Sequence, residues 1–184
     1  GVVSRLTDQK GIDLIVQIIP ALIARGCQLA LLGSGEAASE NALLQFSKQN
    51  PGQIAVKIGF DEGLSHLITA GIDMFLMPSR FEPCGLNQMY SQRYGSPPIV
   101  SATGGLADTV TDSDDETIAS RQATGVVFDD LSAKGLLAAI DRALAYYRDP
   151  ETWRVIQRAG MRRDFSWARS AQQYHDMYRT LLAP

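Results

Sequence analysis

The sequence predicts an α/β fold built on a doubly wound parallel sheet, and three observations carry that reading. Short β-rich runs alternate with longer segments of helical period along most of the chain. Glycine-bearing turns, Gly33-Ser34-Gly35 and Thr103-Gly104-Gly105, fall where such strands would end. With 184 residues and 45% hydrophobic content, the chain is long enough for one core and fits one domain better than two.

Val2 to Leu6 reads as the first strand. After Gly11, the residues Ile12, Ile15, Ile18, Ile19, Leu22 and Ile23 recur at three- and four-residue intervals, which defines an amphipathic helix ended by Arg25-Gly26. Gln28 to Leu32 is the next strand, followed by the Gly33 turn and a helix through Lys48, which Asn50-Pro51-Gly52 breaks. Ile54 to Ile58 is the third strand, Leu64 to Ala70 a short helix and Ile72 to Met77 a buried strand. Leu86 to Tyr94 then reads as a helix and Pro98 to Ser101 as a strand, completing five β-α steps. Thr111 to Gln122 is polar and acidic and is expected as a surface loop or short excursion, with Gly125 to Phe128 an added edge strand. Three helices follow, Ser132 to Arg148, Glu151 to Arg163 and Ser166 to Leu182. The chain divides into a core of about residues 1–163 and a terminal helix in 164–184.

A net charge of −3, from 17 basic and 20 acidic residues, provides no basic field for nucleic acid or an anionic membrane. Cys27 and Cys84 lie in unrelated contexts, which supports neither a disulfide framework nor a zinc site and favours a reducing compartment. No apolar run approaches the roughly 20 residues that a spanning helix needs, and the N-terminus has no signal-peptide pattern. A soluble protein is expected, and because Gly1 runs straight into a strand, a fragment.

Doubly wound sheets bind ligands at the carboxyl ends of their strands. Four loops there are expected to face one crevice: Ser4 to Gly11, Gly33 to Gly35, Ser79 to Gln88 and Thr103 to Leu106. Arg5 and Lys10 flank a turn leading into a helix, the arrangement of a diphosphate clamp, with solvated loop charges the competing reading. Gly33 permits close approach of a ligand or forms a mere strand-to-helix turn, and the incomplete glycine fingerprint of a dinucleotide site argues against a nicotinamide-dependent oxidoreductase. Glu82 can accept hydrogen bonds from sugar hydroxyls while the amides of Gly85, Leu86 and Asn87 hold phosphate oxygens; a helix-capping Glu82 is the alternative. Cys84 reads as a small buried hydrophobe rather than a nucleophile. Thr103, Gly104 and Gly105 suit a backbone contact with phosphate or sugar, or form a plain turn.

Ser79 to Tyr90 together with Thr103 to Val110 resembles the signature of bacterial glycogen synthases and plant starch synthases; Ser4 to Gly11 and Asp164 to Tyr178 are similar to that family as well. The resemblance covers essentially the whole chain and implies the Rossmann-like C-terminal lobe of a two-lobed GT-B glycosyltransferase, without the N-terminal acceptor lobe. It implies transfer of glucose from ADP-glucose to an α-1,4-glucan with retention of configuration, release of ADP and no metal or other cofactor; a stand-alone nucleotide or nucleotide-sugar binding module without turnover is the competing reading. The glucan would be bound through the other lobe, in the bacterial cytoplasm or, for plant members, the plastid stroma.

By that resemblance Arg5 and Lys10 hold the diphosphate and Glu82 the glucose hydroxyls, while the Gly85 and Leu86 amides and Thr103, Gly104 and Gly105 complete the pocket. Phe60 stands where relatives often carry a tyrosine and would lie against the adenine, with core filling the other reading. Related retaining transferases carry a second glutamate where this chain has Tyr90, so a ribose contact there departs from the pattern. His66 is expected to have a structural or capping role. Trp167, Tyr174 and Tyr178 recur at helical spacing and read as a packed helix face. In the family this helix crosses to the other lobe, and an uncovered apolar face would drive self-association.

Overall fold

A computed structural model describes residues 1–182; Ala183 and Pro184, the end of the predicted 164–184 segment, lie outside the described residues. The strands are β1 (Val2–Val3), β2 (Leu29–Gly33), β3 (Ile54–Ile58), β4 (Phe75–Met77), β5 (Pro98–Ser101) and β6 (Val126–Phe128). All pairings are parallel, in the orders β1-β2-β3 and β4-β5-β6. At the seam between them, the Gly1 nitrogen donates to the Met74 carbonyl at 2.7 Å and the Leu76 amide to the Gly1 carbonyl at 2.9 Å. The strands therefore run 3-2-1-4-5-6, and the order reverses between β1 and β4. In a doubly wound sheet that reversal opens a crevice at the carboxyl ends of the two strands.

The helices are α1 (Ile12–Ala24), α2 (Ala37–Gln49), α3 (Glu62–Gly71), α4 (Asn87–Tyr94), α5 (Gly104–Thr109), α6 (Asp115–Ala119), α7 (Ala133–Tyr147), α8 (Pro150–Arg162) and α9 (Trp167–Leu182). α1 packs between α2 and α7, and α4 between α3 and α5, while α8 joins α4 to α7. The main core draws on Ile12, Ile15, Ile19, Leu29, Leu31, Ile99 and Leu136, all fully or almost fully buried. α1 alone contributes six buried residues, and its leucine and isoleucine spacing explains why it is the first helix visible in the sequence.

Several expectations are corrected. β1 pairs regularly only over Val2–Val3; Leu6 makes an isolated bridge to Gly35, because the intervening Ser4 and Arg5 turn toward the crevice. β4 begins at Phe75, not Ile72. The acidic stretch 111–122, expected as a surface loop or short excursion, carries the short helix α6: Asp114 caps it by accepting from the Thr117 amide at 2.7 Å, while the Thr117 hydroxyl accepts from the Asp114 amide at 2.9 Å. α9 has no buried residue, so the packed-face reading of Trp167, Tyr174 and Tyr178 does not hold within the described residues. Trp167 is 86% exposed, with Tyr174, Tyr178, Leu181 and Leu182 also open to solvent.

Candidate functional site

The crevice at the β1/β4 reversal has a volume of about 200 Å³ and is lined by Val2, Val3, Ser4, Arg5, Lys10, Leu76, Met77, Ser79 and Asn87. Two of the four predicted loops, Ser4 to Gly11 and Ser79 to Gln88, line it, while Gly33 packs against Ser4 and Gly104 and Gly105 against the Glu82 loop. Lys10, in its wall, forms an ion pair with a residue 72 positions away: the Lys10 ammonium donates to Glu82 Oε2. The Ser79 hydroxyl, 1% exposed, lies 3.3 Å from the same carboxylate oxygen. Glu82 therefore does not cap a helix. Lys10 and Glu82 side chains are 17% and 9% exposed, so the pair is largely shielded from solvent. Arg5 is exposed at the same mouth and has no salt-bridge partner among the described residues.

Local sequence explains why these groups meet. Asp8–Lys10 forms a 3-10 turn closed by Gly11 at φ +69°, whose missing Cβ leaves room for the Pro78 carbonyl. That close approach brings the Lys10 turn against the loop after β4. On the far side, a Cβ on Gly104 would lie 2.2 Å from the Glu82 carbonyl oxygen and one on Gly105 2.0 Å from that of Cys84. The Gly105 amide donates to the Glu82 carbonyl at 3.0 Å. These glycines therefore press α5 onto the Glu82 loop, and the Gly105 amide is already engaged rather than free for phosphate. Thr103 is the N-cap residue of α5, so 103–105 opens a helix and is not a plain turn.

Gly33 plays a comparable part on the other flank. It is buried, and a Cβ there would lie 1.9 Å from the Ser4 carbonyl oxygen, so the protein itself fills the space that the sequence reading left for a ligand. The Asn87 amide side chain donates to the Val3 carbonyl at 2.8 Å, tying the start of α4 to the end of β1. Among the described residues no acceptor takes the backbone N–H groups of Gly85, Leu86 and Asn87, and they cluster at the N-terminus of α4, where the helix favours an anion. Cys84 is exposed and free, contrary to its reading as a buried hydrophobe.

Phe60 is 91% exposed and is not core filler. Tyr90 and Leu86 are also exposed, and the Tyr94 hydroxyl lies 3.0 Å from His66 Nδ1, which links α3 to α4. A crevice of about 200 Å³ suits a diphosphate or a sugar ring, below the roughly 300–1,000 Å³ of a complete ligand pocket. A larger cavity, about 800 Å³, lies at the amino ends of the strands beside Gly1, Cys27, Gln53 and Met74; none of the candidate residues lines it.

The sequence pattern of the glycosyl transferases group 1 family matches residues 1–159, nearly all of the described core. The chain belongs to this family. Curated relatives of this group 1 domain include a glycogen synthase of Nitrosospira multiformis, 56% identical over 182 residues, which covers 99% of this chain and 37% of that protein. Glycogen synthase 1 of Methylococcus capsulatus is 52% identical over 183 residues, covering 100% and 37%. The match falls on the C-terminal part of these proteins, so the chain spans little more than a third of their length. Among solved structures, the catalytic domain of starch synthase IV from Arabidopsis thaliana, bound to ADP and acarbose, superposes with a TM-score of 0.85 at 40% identity, covering 98% of this chain and 37% of that one. Sucrose-phosphate synthase from Thermosynechococcus elongatus gives 0.67 at 28% identity over 98% of this chain and 45% of that one. The group 1 domain thus has the Rossmann-like architecture of GT-B glycosyltransferases.

Sequence reasoning missed one part of this group 1 site. Arg80 bonds Asp13 at two points, Nη1 to Oδ1 at 2.6 Å and Nη2 to Oδ2 at 2.7 Å. The Arg80 guanidinium holds the Asp13 carboxyl below the usual carboxylate range. A depressed carboxylate contributes stability that is present above its unfolded value and is lost as pH falls through the folded one. The contact between the two loops is therefore expected to weaken below about pH 4, and only modestly, since both side chains remain about one-third exposed. Amide chemical shifts of Gln9 and Phe81 followed from pH 6 to 3 would report it, and Asp13→Asn should remove that pH dependence.

Proposed function

We propose that the chain is the donor-binding lobe of a retaining α-1,4-glucan synthase that transfers glucose from ADP-glucose to the non-reducing end of glycogen or starch. The observation that carries this reading is the meeting of Lys10 and Glu82 at the sheet reversal, beside the exposed Arg5 and the open amides of α4. A cation, a carboxylate and a set of amides on adjoining loops match the three needs of a nucleotide diphosphate sugar: charge on the diphosphate, acceptors for hydroxyls and donors for phosphate oxygens. The relatives named glycogen synthase and the neighbouring starch synthase structure bound to ADP support the same ligand class.

In the proposed step the sugar–phosphate bond breaks as positive charge develops at the anomeric carbon and negative charge grows on the departing ADP. Lys10 and Arg5 stabilise that leaving group together with the amides of Gly85 to Asn87, while Glu82 orients the glucose hydroxyls. The acceptor hydroxyl attacks from the face that ADP leaves and passes its proton to the departing diphosphate oxygen, so no enzyme nucleophile is required. Exposed Phe60, two residues before α3, offers a flat face for the adenine. The acceptor and much of the closure around the donor would come from the rest of the protein, and this lobe alone would bind without turning over.

Calorimetric titration with ADP, ADP-glucose, UDP-glucose and NADH, with a glucan-elongation assay alongside, tests this reading. Binding of ADP and ADP-glucose, with UDP-glucose weaker, NADH absent and no elongation by the lobe alone, is the expected result. Tight NADH binding, or no binding of either adenine nucleotide at millimolar concentration, would count against it.

A further inference from the structure

The turn that carries Lys10 has no buried side chain of its own, so core packing does not fix it. What holds it is the loop after β4. Beyond its two-point bond to Asp13, Arg80 donates from Nη1 to the Asp8 carbonyl at 2.5 Å, and its backbone amide donates to the Gln9 carbonyl at 2.9 Å. Gln9 in turn donates from Nε2 to the Phe81 carbonyl at 3.2 Å. Arg80 thus grips the start of the turn at Asp8 and, through Asp13 in the first turn of α1, the chain just beyond it. Lys10 lies between those two grips, and Glu82 lies two residues past Arg80 on the same loop.

We infer that Arg80 is a positioning residue: by bracing Asp8 and Asp13 it sets the Lys10 ammonium at the distance from Glu82 that a diphosphate sugar requires. The inference deepens the proposed donor site and rests on that reading. As a contributor to overall stability this partly exposed pair counts for little. As a geometric constraint it is stronger, because the planar guanidinium engages both carboxylate oxygens and the Asp8 carbonyl together, which a lysine ammonium at the same position would not reproduce.

The test is a double-mutant cycle in ADP affinity, combining Arg80→Lys with Lys10→Ala, with melting temperature and amide hydrogen exchange measured on the same proteins. Arg80→Lys is expected to weaken ADP binding roughly three- to tenfold, and to change nothing further once Lys10 is alanine. Its melting temperature should fall by less than about 2 °C. The Lys10 and Gly11 amides, which donate to the Thr7 and Asp8 carbonyls, should exchange about tenfold faster. An equal loss of affinity in the Lys10→Ala background would mean that Arg80 acts on the ligand or on the fold as a whole, and would overturn the inference; so would unchanged affinity in Arg80→Lys. If the unaltered chain fails to bind ADP, the donor reading falls, and exchange decides the brace by itself: unchanged Lys10 and Gly11 rates would then overturn it.

Discussion

Lys10→Ala is expected to produce two separable losses. The first is in stability, because Glu82 is left in a shielded site where, among the described residues, its carboxylate keeps only the Ser79 hydroxyl at 3.3 Å as a bonding partner. Removing one member of a buried pair costs about 3–5 kcal/mol, and the lower end applies here because both side chains keep some exposure to solvent. At roughly 2–4 °C per kcal/mol for a chain of this size, the melting temperature should fall by about 6–12 °C. The second loss is in binding. A hydrogen bond from a charged donor contributes about 1.5–3 kcal/mol, so ADP affinity should drop roughly ten- to a hundredfold. Adding Glu82→Gln to Lys10→Ala separates the two. Neutralising the orphaned carboxylate should recover most of the melting temperature and none of the ADP affinity. Recovery of both would mean that Lys10 matters to the fold and not to the diphosphate.

Gly105→Ala is expected to damage the same site from behind. Its new Cβ would lie 2.0 Å from the Cys84 carbonyl oxygen and 2.5 Å from the carbonyl carbon, both backbone atoms that no rotamer change can move. Either α5 retreats, losing the burial of Leu106, or the loop from Glu82 to Cys84 is displaced. Overpacking and local strain together cost about 2–4 kcal/mol. The accompanying shift of Glu82 should weaken ADP-glucose more than ADP, since the carboxylate is assigned to the sugar. Gly71→Ala is the matched control: it lies at the end of α3, a Cβ there meets nothing within 4 Å, and its effect on melting should be near zero or slightly stabilising. Equal behaviour of the two alanine variants in thermal unfolding would refute the packing argument for Gly105.

Much of this was legible in the sequence. The apolar spacing from Ile12 to Ile23 and the compact runs Ile54–Ile58 and Pro98–Ser101 fall on α1, β3 and β5 in the structure. The loops that carry Arg5, Lys10 and Glu82 were legible too, because strand exits in a doubly wound sheet are where chemistry collects. The short helix α5 was hidden because two glycines open it, and glycine is a poor helix former; tertiary contact with the Glu82 loop overrides that local preference. Helix α6 left a readable trace, the Asp114/Thr117 capping pair, inside a stretch that otherwise looked like acidic loop. Arg80 and Asp13 left none, since residues 67 positions apart with ordinary neighbours carry no spacing signal for their contact. Gly33, Gly104 and Gly105 were visible as special positions but ambiguous in purpose: sequence cannot separate backbone approaching a ligand from backbone approaching another loop. In α9, helical periodicity showed an apolar stripe and could not show what, if anything, covers it.

The nucleotide diphosphate sugar is expected at the β1/β4 reversal, between the Lys10 turn and the Glu82 loop. The most direct measurement is an amide chemical-shift titration of the chain with ADP-glucose. The expected perturbations fall on Ser4 to Gly11, on Ser79 to Asn87 and on Thr103 to Gly105, with Phe60 and its neighbours responding to the adenine. Shifts centred instead on Cys27, Gln53 and Met74, around the larger cavity at the amino ends of the strands, would contradict the account, as would an unchanged spectrum at millimolar ligand.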